Sequence, residues 1–230
     1  MLGSARSVLM KASTPGVVLP AAYAAYNFNE GSGTTAADSS GNGRNLTMNA
    51  VTFTTGHTSS GATSSGVVTA ASVAMTAPAA AITVLGWIKP LVLSAGSDHI
   101  AFGIFDSGGS TEAAIFTERS SGNIGNPDVL KGHFRINNQL IPIEGPALTV
   151  GVWVHVAVTY DGAALLIYVN GVQAQSDART GLVTTGDIFT VAGNGPNNSF
   201  ASDVVVDDVR IFSTALSAAQ VVVAMNTPVA

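Results

Sequence analysis

Asp38, Asn42 and the adjacent pair Asp207-Asp208 place side-chain oxygens in or beside stretches rich in Gly, Ser and Asn, with Glu30 not far from the first two. Carboxylates and amides in such loops suit a hard cation that takes about six to eight oxygens at flexible geometry, which describes calcium. Neighbours on a regular strand point to opposite faces, so at most one of Asp207 and Asp208 joins Asp38 through its side chain. The same residues have a second reading. Asp38 closes an Asx-turn over Ser39-Ser40-Gly41, and Asp207 or Asp208 pairs with Arg210 or with strand-end amides.

Bond-breaking chemistry finds less support, and no catalytic residue is assigned. Glycan cleavage needs two carboxylates roughly 5–9 Å apart across the scissile bond. Glu112 and Glu118 are separated along one expected strand, and Glu144 stands alone. His57, His99, His133 and His155 lack a G-x-S-x-G or comparable nucleophile context. His155 alternates with valines and reads as a satisfied structural histidine. Gly193-Asn194-Gly195-Pro196 reads as a turn, because no helix follows to cradle a phosphate.

A sugar site asks for an aromatic platform with polar groups at its rim. Trp87, Trp153 and Tyr160 are the large candidates. Trp87 lies in an apolar run and reads as core. Trp153 is placed in the second layer or on a concave face. Asn123, Asn126, Asn194, Asn197 and Asn198 could form a polar rim, although simple turn-making explains them better.

The elements that must position these residues are strands. From Gly151 to Gly171 two apolar runs flank Tyr160-Asp161-Gly162-Ala163, and Asn170-Gly171 closes the second run. Asp-Gly between apolar runs is a strong hairpin signal, because Gly accepts the positive φ of such turns. Both strands are apolar on both faces, which places them inside a two-layer β structure rather than at an edge. Further strands are expected at Ala24 to Phe28, Leu46 to Phe53, Val67 to Thr76, Ile82 to Pro90, Ile188 to Val191 and Val204 to Phe212. Hairpins are expected at Ile100 to Asp106 with Glu112 to Arg119, and at His133 to Ile136 with Leu140 to Glu144 around Asn137-Asn138. Glu30 to Asn45 and Gly56 to Gly66 read as loops. One short helix follows Ser217, a good N-cap, with Val221, Val222 and Met225 on one face. Short strands at regular spacing indicate a sandwich or jelly roll.

Composition narrows the classes. Hydrophobic residues make up 47% and charged residues 10%, so Ser, Thr, Asn and Gly must supply most of the polar surface. The net charge is −5 and the few basic residues are scattered, which leaves no footprint for nucleic acid. There is no cysteine, hence neither a disulfide nor a thiolate metal site. No apolar run reaches membrane-spanning length. Residues 1–20, bounded by Pro15 and Pro20, read as an extended arm without the compact apolar core of a secretory signal. Residues 21–230 read as one domain.

Several segments together resemble laminin-G-like, concanavalin-A-like jelly-roll domains. They are Tyr26-Asn27-Phe28-Asn29-Glu30-Gly31, Ile82-Thr83-Val84-Leu85-Gly86-Trp87-Ile88-Lys89-Pro90, Trp153-His155-Val156-Ala157-Val158-Thr159-Tyr160-Asp161-Gly162 with Tyr168-Val169-Asn170-Gly171, and Val206-Asp207-Asp208-Val209-Arg210-Ile211-Phe212. The resemblance implies an all-β, two-sheet antiparallel sandwich with an N-terminal arm and a short C-terminal helix. It also implies neighbouring first and last strands, near whose ends a structural calcium would take Asp38, Asn42 and Asp207. Asn29 stands where many relatives carry Asp, which weakens that cation site. Relatives that cleave glycans alternate acids on one central strand, and this chain does not.

The expected function is that of a non-catalytic binding or structural module. One form is a decoration component of a large assembly such as a phage particle, made in a host cytosol and held to other chains through Arg6, Lys11, Val17 and Val18 of the arm. The alternative is a secreted or cell-surface module that binds carbohydrate.

Overall fold

The structure, a computed structural model, describes residues 16–64, 70–76, 78–93, 99–118, 129–193 and 202–230. In chain order the strands begin with β1 (Ala24–Tyr26), β2 (Thr35–Ala36), β3 (Leu46–Met48), β4 (Thr52–Thr55), β5 (Ser60–Ser64) and β6 (Ala71–Ala74). Next come β7 (Ile82–Pro90), β8 (His99–Phe105), β9 (Thr111–Glu118), β10 (Val129–Ile136) and β11 (Gln139–Ala147). The last are β12 (Val154–Tyr160), β13 (Ala164–Val169), β14 (Val172–Ala178), β15 (Ile188–Val191) and β16 (Val204–Phe212), followed by helix α1 (Ala218–Asn226).

These strands form two antiparallel sheets. The first runs β14-β13-β12-β7-β16-β5-β4, with β1 also paired to β16; the second runs β11-β10-β9-β8-β15-β6-β3-β2. The central position expected for the Gly151–Gly171 hairpin is realised, since β12 lies between β13 and β7 and β14 covers the outer side of β13. The turns behave as their residues dictate. Asn137 and Asn138 both take positive φ between β10 and β11, and Asn170 and Gly171 do so between β13 and β14.

Alternation along each strand divides the sheets into an inner and an outer face. Ile82, Val84 and Ile88 of β7, Val156 and Val158 of β12, and Phe102, Ile104, Phe134 and Phe189 of the second sheet fill the space between the layers. Tyr26 stacks on Phe189 across that space, with ring centroids 5.8 Å apart. On the outer face of the first sheet, Leu85, Ala157, Tyr168 and Phe212 form a separate cluster with Leu216, Val221 and Ala224. Helix α1 provides that cover. Its Ser217 cap and Gln220 form the reciprocal capping box, which fixes the first turn. The buried Arg210 closes its other end, donating Nη1 to Ala224 O (2.8 Å) and Nη2 to Thr227 O.

The structure departs from the sequence expectations in several places. The single strand expected at Leu46 to Phe53 is two strands in different sheets, because Ala50 takes a φ of +54° and turns the chain across the layers. The Ser/Thr/Gly stretch expected as a loop contains β5, which pairs with both β4 and β16. Gly61 is needed there, since a Cβ would lie 2.7 Å from Val206 O. β2 lies within the expected loop Glu30 to Asn45, and β14 was not foreseen. Helix α1 buries Val221 and Ala224 rather than Val222, which is 39% exposed.

Arg6 and Lys11 of the arm lie outside the described residues. Val17 and Val18 are exposed, whereas Leu19 and Ala22 pack against the helix-covered cluster and Val18 O accepts from Gln220 Nε2 (3.1 Å). Among the described residues no helix is long and apolar enough to cross a membrane.

Candidate functional site

Helix α1 covers only part of the outer face of the first sheet. Beyond it, Trp87 projects outward from β7 level with His155 of β12 and Asp207 of β16, and Trp153 precedes β12 beside Lys89. Trp87 is therefore half-buried on an outer face and not in the inter-sheet core expected for it. The reason is register: Ile82, Val84 and Ile88 point inward, and Trp87 falls on the opposite phase of the strand. Trp153 shares that face. Tyr160, the third aromatic candidate, is fully buried, and its hydroxyl reaches Arg179 O and Gly181 O.

A residue that sequence reasoning had set aside completes the cluster. His57, exposed at the turn between β4 and β5, lies flat on Trp87 with centroids 3.6 Å apart and planes at 11°. It meets Trp153 edge-on at 5.7 Å. His155, opposite Trp87 on the neighbouring strand, meets it edge-on at 5.3 Å. The Lys89 ammonium stands 5.0 Å from the Trp153 ring centroid, within cation–π range. The outcome is a stack in which Trp87 is the foundation and His57, Trp153 and Lys89 meet solvent.

The His57 turn is held by a bulge in β16. The register shifts between Asp207 and Arg210, and Asp208 takes a φ of +50°. This breaks the alternation expected of Asp207 and Asp208, so both carboxylates reach the same turn. Asp207 Oδ2 accepts from His57 N (2.8 Å) and Thr58 N (3.0 Å), and its Oδ1 accepts from Asp208 N (2.8 Å). Asp208 Oδ2 accepts from Thr58 Oγ1 (3.5 Å), and its Oδ1 from Val229 N (2.8 Å). A Cβ on Gly56 would lie 2.6 Å from Asp207 Oδ2, so only glycine lets the turn approach so closely.

Burial sets the electrostatics of the cluster. It raises the Asp207 carboxyl to about 6, with the adjacent Asp208 adding to the effect and the amides of Thr58, Asp208 and His57 opposing it. Burial also raises Asp208 and lowers His57. His155 is pushed down to about 3 by burial, then by Arg210 and His57. It is thus a neutral, buried histidine, but not the satisfied one expected, because Nδ1 has no partner among the described residues.

The proposed cation ligands are occupied separately. Asp38 accepts from Ala25 N, Ser40 N and Arg44 N, each at 3.0 Å. Burial works against its ionisation, but the hydrogen bonds from Ser40, Arg44 and Ala25 outweigh it and hold the carboxyl below its usual range. Asn42 Nδ2 donates to Ala22 O, Tyr23 O and Ser40 Oγ. Ala25 pairs with Arg210, so β1 stands between Asp38 and β16, the strand that carries Asp207. Glu30 accepts from Ala37 N (2.7 Å). Among the described residues no group of three or more His, Asp or Glu could hold a metal ion.

The other histidines, His99 and His133, and the acids Glu112, Glu118 and Glu144 lie on the second sheet. Glu112 is buried and meets Arg135 Nε at 3.3 Å, with its Oε2 unpartnered. Burial raises it to about 7, helped by Asp106 and Asp187 and opposed by Arg135. Lys131, His133 and His99 are also buried. Asn123, Asn126, Asn194, Asn197 and Asn198 lie outside the described residues, as does the side chain of Glu118.

A laminin-G-type family profile, described as the concanavalin A-like lectin/glucanases superfamily, matches residues 58–222. The chain belongs to that superfamily. Comparison with curated protein sequences gave no match. Solved structures share the fold at low identity. Domain 4 of the extracellular GH43 arabinanase AbnA from Geobacillus stearothermophilus, in complex with arabinotriose, has 21% identity and a TM-score of 0.60, over 88% of this chain and 97% of that one. The ligand-binding domain of botulinum neurotoxin serotype D, in complex with N-acetylneuraminic acid, has 15% identity and a TM-score of 0.68, over 90% and 50%. The binding domain of Paraclostridial Mosquitocidal Protein 1 has 16% identity and a TM-score of 0.67, over 88% and 51%. The chain thus spans about half the length of the two toxin chains it matches.

Proposed function

We propose that this domain binds carbohydrate without cleaving it, through the platform formed by Trp153, His57 and Lys89 over Trp87. The observation that carries the reading is the ring cluster itself: aromatic faces and a cation fixed at the solvent surface of a rigid central strand pair. Pyranose rings offer apolar C–H faces that pack on aromatic rings, and hydroxyls that pair with a rim donor such as Lys89. The two relatives solved with arabinotriose and N-acetylneuraminic acid support a sugar as the ligand class. Affinity for one short glycan is expected to be modest and to grow through multivalency.

The spacing of Glu112 and Glu144 does not support turnover by that pair. Glu112 lies level with Arg135, and Glu144 lies opposite Lys131, on strands separated by β10. Standard strand geometry puts their backbones roughly 16 Å apart, well beyond the ~5–9 Å that glycoside cleavage requires. The assembly reading has less support, since Leu19, in the described part of the arm, packs on its own domain, while Val17 and Val18 are exposed.

A glycan array followed by calorimetry tests the reading. The wild-type chain should bind a subset of glycans, and Trp153→Ala should weaken that binding at least tenfold while the circular-dichroism spectrum is unchanged. Binding that survives Trp153→Ala and His57→Ala undiminished would move the site elsewhere.

A further inference from the structure

We infer that the platform selects glycans carrying an anionic group, a carboxylate or a sulfate, and that Lys89 is the specificity-determining residue. The inference rests on the proposed sugar-binding role of the same face and deepens it.

The charges on this face are unequally placed. Lys89 is half-buried on β7, held over Trp153, and has no carboxylate partner among the described residues. The acids of the same face, Asp207 and Asp208, are buried at 1% and 6% exposure, and backbone amides and the Thr58 hydroxyl occupy their oxygens. Arg210 is buried too, and its guanidinium donates to the carbonyls at the end of α1. His57 lies flat on Trp87, and partial burial there lowers its pKa from the ordinary value against the opposing effect of Asp208. Of the charged groups gathered here, the one that meets a ligand is therefore a cation.

A neutral sugar would leave that ammonium facing a C–H surface and would strip part of its hydration without return. A uronate, a sialate or a sulfated sugar returns it as a charge-assisted hydrogen bond. The apolar face of the same ring can still rest on Trp153. Flexible stem and point charge suit Lys89 to carboxylate and sulfate alike, because it imposes no bidentate geometry. The net charge of −5 does not oppose this at physiological salt, where exposed charges beyond about 8 Å are largely screened.

The test is an array of neutral, uronate-containing, sialylated and sulfated glycans, probed with the wild-type chain, Lys89→Gln and Lys89→Arg at about 50 mM and 500 mM NaCl. The expected result is an acidic-over-neutral preference of about two- to fivefold at low salt, the scale of one half-exposed charge pair. The preference should fall to near unity in Lys89→Gln and at high salt, and Lys89→Arg should restore it. Which acidic class ranks first identifies the anion. Equal binding of neutral and acidic glycans, abolished by Trp153→Ala, would overturn the charge selection and leave the sugar platform standing. Acidic preference that persists in Lys89→Gln would also overturn it. Binding to no glycan would overturn both.

Discussion

The two outer faces of the sandwich solve opposite problems. The first sheet seals half of its face under α1 and leaves the other half as rings and a lysine in contact with water. The second sheet carries Glu112, Lys131, His133 and His99 on or beside its strands, and all are buried. One face spends exposed surface on groups suited to a ligand; the other hides titratable groups whose effect falls on folding. On the proposed reading, exposed rings mark the site and buried charge on a strand does not.

Substitutions can break this contrast. The largest effect is expected at the sealed half of the first sheet. Leu85→Ala opens a cavity beneath α1 and should cost about 2–5 kcal/mol in denaturant unfolding. A cost below about 1 kcal/mol would mean that the helix is a loose cover. Next comes the open half: Trp153→Ala should reduce glycan binding at least tenfold, or about 1.4 kcal/mol, whereas Arg135→Ala on the second sheet should leave binding alone and cost about 1–3 kcal/mol of stability. The reverse pattern would exchange the roles of the two faces.

The pH response sharpens the contrast further. Glu112 has its pKa raised in the folded state, so its contribution is complete below about 4.5 and is lost as pH rises through about 7. Wild-type stability should thus increase as pH is lowered from 8 to 6.5, and Glu112→Gln should flatten that rise in thermal melts. His155 has the opposite sign. Its folded pKa is depressed to about 3, so its contribution holds above the ordinary value of 6.5 and declines as pH falls toward 3. His155→Gln should therefore lose less stability than wild type between pH 6 and 4.

The smallest effect is expected from calcium. A bound ion would have to share Asp38 and Asp207 with amides already seated on their oxygens. A chelator should move the melting temperature by less than about 1 °C; a rise of several degrees in millimolar calcium would place an ion at Asp38, Asn42 or Asp207.

Much of the fold could be read from residue order, because the strongest signals were local. Alternation in β7 and β12, and the Asp-Gly and Asn-Asn turns, announced pairings that the structure retains. What escaped depended on partners distant in sequence. β5 has too few large side chains to look like a strand and exists because Gly61 and Ala62 fit against Val206. The bulge at Asp208 has no glycine or asparagine to announce it, so the strand looked regular. His57 carried no motif at all; its role comes from a contact with Trp87, thirty residues on, through a turn pinned by Asp207. Trp87 could have been placed correctly, since strand phase alone separates it from Ile82, Val84 and Ile88.

Trp87 and Trp153 are the only tryptophans in the chain, and both belong to the platform. Intrinsic tryptophan fluorescence during titration with array-positive glycans therefore reports on this face alone. A saturable change in intensity or emission wavelength, with a midpoint matching the calorimetric affinity, is the predicted result. Calorimetric binding of the same glycan with the emission unchanged throughout would contradict the account.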